Sequence, residues 1–448
     1  MFFVPVYILI LAFTIVIDYV AGILIENADS KKKKLYLIVS LISNIGILAV
    51  FKYYNFFVDN INDVFVLSGV NFQFAFLKIL LPIGLSFHTF QAMSYTIEVY
   101  RGNQKAERHF GIYALYVMFF PQLVAGPIER PQNMLHQFHI KHKFDFDLVR
   151  SGLNLMFWGF FKKMVIADRL TLFVDPVFAN PVKYGGLPIL FGMVFFAFQI
   201  YCDFSGYSDI AIGAARIMGF KLMTNFNFPF ISKNITEFWR KWHISLSTWF
   251  NDYLFNPLVI KTRNWHKLGV CFALISTLLI SGLWHGAGWN FVIFGGLHGI
   301  AMTYEFLTKK IRKSISKALP DWIYGNISIV LTFMFACFAW IFFRAKSLKM
   351  AWAYIKRIPG LSTFKSYHSF NLATMYDNNI SYIDLSIAII GIFALFIGEY
   401  LLRKKPYIDE HFKVIISNLK PVFYFIALVF FILTAVFNDG KQFIYFQF

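Results

Sequence analysis

Apolar stretches long enough to enter a lipid bilayer recur along this chain, at residues 3–25, 35–57, 76–99, 187–201, 270–283, 291–307, 327–343, 383–402 and 422–437. A helix needs about 20 mostly apolar residues to cross the hydrocarbon core. The stretches 187–201 and 270–283 fall short and must borrow flanking residues. In lipid a segment has to satisfy its own backbone N–H and C=O groups, so such stretches fold as helices. Two further stretches are interrupted: 112–125 ends at Gly126 and Pro127, and 153–166 contains Lys162 and Lys163. These read as re-entrant or amphipathic elements. The expected fold is an all-α polytopic membrane protein of about 9–11 spans plus re-entrant and interfacial helices, forming one domain over residues 1–448.

Composition and charge agree with a membrane setting. Only 15% of the 448 residues are charged and 58% are hydrophobic, whereas soluble domains carry about a quarter charged residues. No single water-soluble core hides that much apolar surface. The net charge is +18, but the Lys and Arg residues gather between apolar runs, the pattern of cytoplasmic loops at an anionic leaflet. No nucleic-acid-binding motif competes with that reading. Lys31 to Lys34 follow the first stretch, and Arg101, Lys105 and Arg108 follow the third. Both loops are therefore expected in the cytoplasm and the N-terminus outside. Lys261, Arg263 and Lys267, with Lys309, Lys310, Arg312 and Lys313, bracket the stretches 270–283 and 291–307. That bracketing predicts a hairpin with both ends cytoplasmic and its turn, near 286–290, deep in the membrane or toward the far face. The basic region 344–357 breaks the alternation and leaves the C-terminal topology open. The first stretch lacks a basic leader and a small-residue cleavage site, so it reads as a retained span. Cys202, Cys271 and Cys337 lie inside apolar segments without CxxC spacing, which suits small core residues and supports neither a disulfide frame nor a metal site. The polar stretches 102–109, 132–147 and 359–381 read as loops.

Polar residues inside apolar sequence are costly and mark candidate sites. They are densest between 201 and 298. Asp203-Phe204-Ser205-Gly206-Tyr207-Ser208-Asp209 follows an apolar run directly; it reads as a broken helix whose Asp203, Ser205 and Asp209 pair internally in a structural corner, with too few nearby ligands for a metal. The segment 237–253 places Trp239, His243, Leu246, Ser247 and Phe250 on one face of a helix. An interfacial anchor accounts for its tryptophans but not for a histidine on the apolar face. In Leu283-Trp284-His285-Gly286-Ala287-Gly288-Trp289-Asn290, glycines flank His285 so that a substrate chain or another backbone can come close. A neutral imidazole there is either a general base or a buried residue tying two helices together. His298 lies about 220° from His285 on an ideal helix, which suits a supporting role. No GxSxG, P-loop or HExxH string occurs.

At these residues the chain resembles the membrane-bound O-acyltransferase family, in its bacterial branch of alginate O-acetylases. The resemblance rests on Phe119-Phe120-Pro121-Gln122-Leu123-Val124-Ala125-Gly126-Pro127-Ile128, Gly159-Phe160-Phe161-Lys162-Lys163 with Asp168-Arg169, the strings 203–209 and 238–252, Leu283-Trp284-His285-Gly286, Phe342-Phe343-Arg344-Ala345 and Phe443-Ile444-Tyr445-Phe446. It implies a ring of tilted helices around a catalytic tunnel, entered from the cytoplasm and opening outward near the histidine. It implies that His285 is the catalytic histidine and His243 the second polar position, filled by Asn or Asp in other branches. Trp242, Ser247, Trp249, Asn251, Trp284, Trp289 and Asn290 would then line the tunnel. The implied activity is O-acylation: His285 deprotonates an acceptor hydroxyl or carries the acyl group, and His243 positions a substrate or stabilises the oxyanion. No bound cofactor is expected; acetyl-CoA or another thioester is the donor. A periplasmic SGNH-type acetyltransferase is the implied partner and an exopolysaccharide the acceptor, at the bacterial inner membrane. D-alanyl transfer to teichoic acid is the rival within the family. A transporter is the rival outside it, and no inverted repeat supports one.

Overall fold

The computed structural model describes residues 7–78, 82, 84–184, 186–358, 382–404 and 425–437. Among them every regular element is a helix. Six helices are long and apolar enough to cross a membrane: Tyr7–Asn27, Ser30–Leu67, Leu187–Ile217, Arg263–His285, Asp321–Arg344 and Ile383–Leu401. Trp289–Leu307 adds a seventh when taken with Lys309–Ala318 across a 69° bend. The chain is an all-α polytopic membrane protein. The two short stretches do borrow flanking residues, growing to helices of 31 and 23 residues. In the stretch 76–99, by contrast, the described helix is Leu85–Arg101, 17 residues long with nearly every side chain buried. An apolar run surrounded by protein looks the same in sequence as one surrounded by lipid. Residues 3–6, 422–424 and 443–446 of the expected stretches and strings, and the polar stretch 359–381, lie outside the described residues.

Contacts gather the described residues into two compact units. The first lies within Met1–Leu153, Ala211–Asn225 and Trp242–Lys309, the second within Asn154–Ile210, Phe226–Lys241 and Lys310–Phe448.

In the first unit the Tyr7–Asn27, Ser30–Leu48 and Leu85–Arg101 helices meet around a buried carboxylate. Asp18 accepts hydrogen bonds from Ser40 Oγ at 2.6 Å and Asn44 Nδ2 at 2.8 Å, and Ser40 Oγ also lies 3.0 Å from Thr96 Oγ1. The carboxylate is thus held by donors on both of its oxygens, which a low-dielectric interior demands. The His266–His285 and Trp289–Leu307 helices form the expected hairpin. Gly282 and Gly295 let the two backbones touch: a Cβ on Gly295 would overlap the Leu278 carbonyl, and one on Gly282 the Phe291 carbonyl. Gly282 and Gly295 thus serve another backbone, whereas Gly286, next to His285, makes room for the Phe291 ring and Gly288 for the Asn290 side chain.

The second unit is held by ion pairs. Lys163 Nζ lies 2.5 Å from Asp203 and 2.9 Å from Asp168, while Lys162 Nζ reaches Asp209 at 2.5 Å and Ser205 Oγ at 2.9 Å. Arg344 pairs with Asp175 at 2.6 Å, and Arg169 with Asp384. The expected broken helix at 203–209 is therefore corrected. Leu187–Ile217 runs through it unbroken, because the carboxylates find their counter-charges on Lys162 and Lys163 and need no local turn.

Among the described residues three segments wind as π-helix, Ala49–Tyr53, Phe161–Ala167 and Asn251–Phe255. Each carries polar residues that make tertiary contacts: Lys52, the Lys162–Lys163 pair, and Asp252 with Tyr253. Extra residues inserted in a helix turn commonly mark functional positions.

Candidate active site

His285 is the last residue of the His266–His285 helix and is buried, 7% exposed. Gly286 leaves the helix in extended backbone, and the chain re-enters a helix at Trp289. His298 is therefore on the facing helix, and no continuous helix relates it to His285. The Phe294 ring lies 6.0 Å from the His285 ring and 4.9 Å from that of His298, centroid to centroid.

His243 lies outside the membrane-crossing helices and is fully buried. The single amphipathic helix expected over 237–253 is corrected here. Two short helices, Ile235–Lys241 and Ile244–Phe250, are separated by His243 in left-handed backbone, φ 45°. Few residues other than glycine adopt that region. Asn225, itself buried, holds the turn. Its carbonyl accepts Ile244 N–H at 2.9 Å, and its side-chain Oδ1 accepts Ser245 N–H at 3.2 Å and Ser245 Oγ–H at 2.9 Å. Oδ1 also lies 3.1 Å from His243 Nδ1. Because a backbone N–H identifies that atom as the oxygen, His243 Nδ1 must be the donor, which leaves Nε2 the unprotonated nitrogen of the neutral ring. Burial, then the neighbouring His285, hold this imidazole well below its ordinary pKa, so it is neutral.

Aromatic rings join the two histidines. Trp284 is buried, its ring 4.9 Å from His285 and 6.5 Å from His243. Phe87 packs on both, 6.3 Å from His243 and 5.5 Å from Trp284. From Trp284 the rings continue to Phe90 at 5.1 Å, then Trp249 at 4.0 Å, then Tyr253 at 4.9 Å. Trp249 Nε1 donates to the Phe90 carbonyl at 3.0 Å, which fixes the stack. At Tyr253 the file meets an open polar pocket of about 510 Å³. Arg101 and Arg130 lie over the Tyr253 ring at 5.0 and 4.7 Å, and they pair with Glu98 at 3.1 Å and Asp252 at 3.0 Å.

The sequence-named residues divide accordingly. His243, His285, Trp249 and Trp284 come together. Trp242 is buried beside His243 in sequence, and its carbonyl accepts Ser247 Oγ–H at 3.2 Å. Asn290 is buried in the first turn of the returning helix. Trp289 is 54% exposed and donates to Asn60 at 2.8 Å, and Asn251 is exposed beside Asp252. Neither joins the ring cluster. Asp203, Ser205 and Asp209 belong to the ion pairs of the second unit. Sequence reasoning missed Asn225, Phe87, Phe90, Tyr253, Arg130 and Lys52. Of these only Lys52, a lone cation inside an apolar run, carried a signal of its own.

Residues 109–352, more than half of the chain, match the family model described as MBOAT, membrane-bound O-acyltransferase family. The chain is 35% identical to a "Probable alginate O-acetylase" of Pseudomonas aeruginosa over 405 residues, covering 89% of this chain and 75% of that protein. It is 36% identical to a "Peptidoglycan O-acetyltransferase" of Helicobacter pylori over 406 residues, 84% of this chain and 74% of that protein. It is 33% identical to a "Teichoic acid D-alanyltransferase" of Bacillus subtilis over 277 residues, 59% of this chain and 69% of that protein.

Proposed function

Because the chain belongs to the membrane-bound O-acyltransferase family, and is an acyltransferase by that membership, we propose that it moves an acetyl group from a cytoplasmic thioester across the membrane to an acceptor hydroxyl, for O-acetylation of a polysaccharide outside the cytoplasm. The observation that carries this reading is the pairing of two buried histidines, His285 and His243, around Trp284. Acetyl transfer is favoured over D-alanyl transfer because the acetylase matches cover 66–89% of this chain and the D-alanyltransferase matches 52–59%.

The chemistry follows from the state of each ring. The acceptor hydroxyl oxygen attacks the thioester carbonyl, a C–O bond forms, the C–S bond breaks and a thiol leaves. His285 takes the hydroxyl proton and returns it to the departing thiolate. The Nε2 atom of His243 carries no proton, so that ring orients the hydroxyl by accepting from it and cannot donate to the oxyanion. Trp284 can: its buried Nε1–H has no hydrogen-bond partner among the described residues, and a fixed donor beside developing charge is worth about 10²–10³ in rate.

Two features support donor entry from the basic side. Glu26, at the end of the first helix, accepts Ala106 N–H at 3.2 Å and pairs with Arg108, so the end of the Leu85–Arg101 helix lies on the side of Lys31 to Lys34. The polar pocket around Arg101 is on that same side. The file of rings then leads inward from Tyr253 to Trp284. By the distribution of Lys and Arg that side is cytoplasmic, with the N-terminus outside and the protein in a bacterial inner membrane. Acetyl-CoA is the proposed donor, and an SGNH-type acetyltransferase outside the cytoplasm the proposed partner that completes transfer.

The test is His285→Ala, with alkali-labile acetate on the cell-envelope glycan as readout. The variant should insert at the normal level and leave acetate at the level of a strain lacking the gene. Undiminished acetate would overturn the assignment.

A further inference from the structure

Lys52 is a cation within a 38-residue apolar span, Ser30–Leu67, and the reaction above gives it no task. Roughly 27 Å of helix separates it from Lys34 at 1.5 Å per residue, so it lies at membrane depth, where an ammonium requires partners. Those partners are the end of the helix that carries His285. Lys52 Nζ lies 2.5 Å from the Trp284 carbonyl oxygen, 3.2 Å from that of His285 and 3.5 Å from Ser86 Oγ. It also lies 5.6 Å from the centre of the Trp284 ring. The next residue, Tyr53, donates its hydroxyl to the Leu283 carbonyl at 3.0 Å.

The carbonyls of a helix's last turn have no N–H of their own to receive. Here Gly286 leaves the helix directly after His285, and three successive carbonyls, 283 to 285, are closed by two neighbouring side chains of one π-wound turn, Ala49–Tyr53. A cation at a helix C-terminus also meets the negative end of the helix dipole.

We propose that Lys52 and Tyr53 are positioning residues for His285, closing the end of its helix and thereby setting where the imidazole and the Trp284 indole stand. The inference rests on the reading of His285 as the reacting imidazole. Without the clamp the last turn is free to fray, and a displacement of about 1 Å costs on the order of 10²-fold in rate.

The experiment measures the rate at which alkali-labile acetate accumulates on the cell envelope after induction, per molecule of enzyme in the membrane. Lys52→Met should lower that rate about 10–100-fold. Lys52→Arg, which keeps charge and donors, should restore most of it, and Tyr53→Phe should cause a smaller loss. Lys52→Met combined with His285→Ala should be no worse than His285→Ala alone. A purely structural role would lower the amount of enzyme and leave the rate per molecule unchanged, and that result in Lys52→Met overturns the proposal. Should Lys52→Met fail to accumulate, Tyr53→Phe decides, and an unchanged rate in it overturns the clamp. A full rate in His285→Ala instead overturns the reading of His285, whatever the Lys52 variants do.

Discussion

A histidine in left-handed backbone costs of order 1–3 kcal/mol and persists only where its surroundings enforce it. At His243 the enforcement comes from Asn225, which engages Ile244, Ser245 and the imidazole itself. The strain places the ring where Nδ1 is committed and Nε2 is the acceptor. Keeping that ring neutral has a pH signature. The folded imidazole, held well below its ordinary value first by burial and then by His285, refuses a proton that the unfolded chain binds below about 6.5. Its contribution is therefore intact above that pH and is lost as the pH falls. His243→Asn tolerates the left-handed backbone and does not titrate. Its thermal stability in detergent should fall less steeply than wild type between pH 7 and pH 5, and equal slopes would contradict a neutral buried His243. The sequence exposes His243 as a polar residue out of place. Its tautomer is invisible there, because it depends on an asparagine 18 residues upstream in a loop with no motif.

Among the elements, the hairpin of His266–His285 and Trp289–Leu307 was legible from charge, since basic clusters flank both ends. What joins its helices was only half legible. Glycines at 282, 286, 288 and 295 announce a close approach but not the approaching group. The structure answers with backbone at two of them, Gly295 facing the Leu278 carbonyl and Gly282 the Phe291 carbonyl, and with side chains at the other two, the Phe291 ring at Gly286 and Asn290 at Gly288. A methyl at Gly295 has backbone against it and nowhere to move. Gly295→Ala should therefore cost at least the about 1–3 kcal/mol typical of overpacking, measured as a lower midpoint in a thermal-shift assay, while Gly46→Ala, with nothing near its Cβ, should be neutral. Sequence periodicity misread two other elements for one reason. It assumes a helix continues until a breaker appears, so it carried a helix through His243, where Asn225 stops it, and broke one at 203–209, where Lys162 and Lys163 sustain it.

At the scale of the whole molecule, the strings that carry the family resemblance separate by task. Those around 242–252 and 283–286 converge on the histidines of the first unit. Gly159 to Lys163, Asp168-Arg169, the string 203–209 and Arg344 supply the ion pairs of the second. Orientation is open to a direct check. Cys202, Cys271 and Cys337 are buried and give little background, whereas Lys32 is exposed after the first span. Lys32→Cys should react with a membrane-impermeant maleimide in inverted vesicles and not in intact cells. Labelling in intact cells would place that loop outside and reverse the proposed direction of entry.

The membrane setting, the helical class and the hairpin were readable from the chain alone, because transfer of apolar residues into lipid and closure of their backbone hydrogen bonds are properties of each segment taken singly. The company kept by the histidines was not. Lys52 meets the Trp284 carbonyl across 232 residues, and Trp249 the Phe90 carbonyl across 159. Contacts at such separations depend on how the helices pack, and no local pattern of residues encodes that packing.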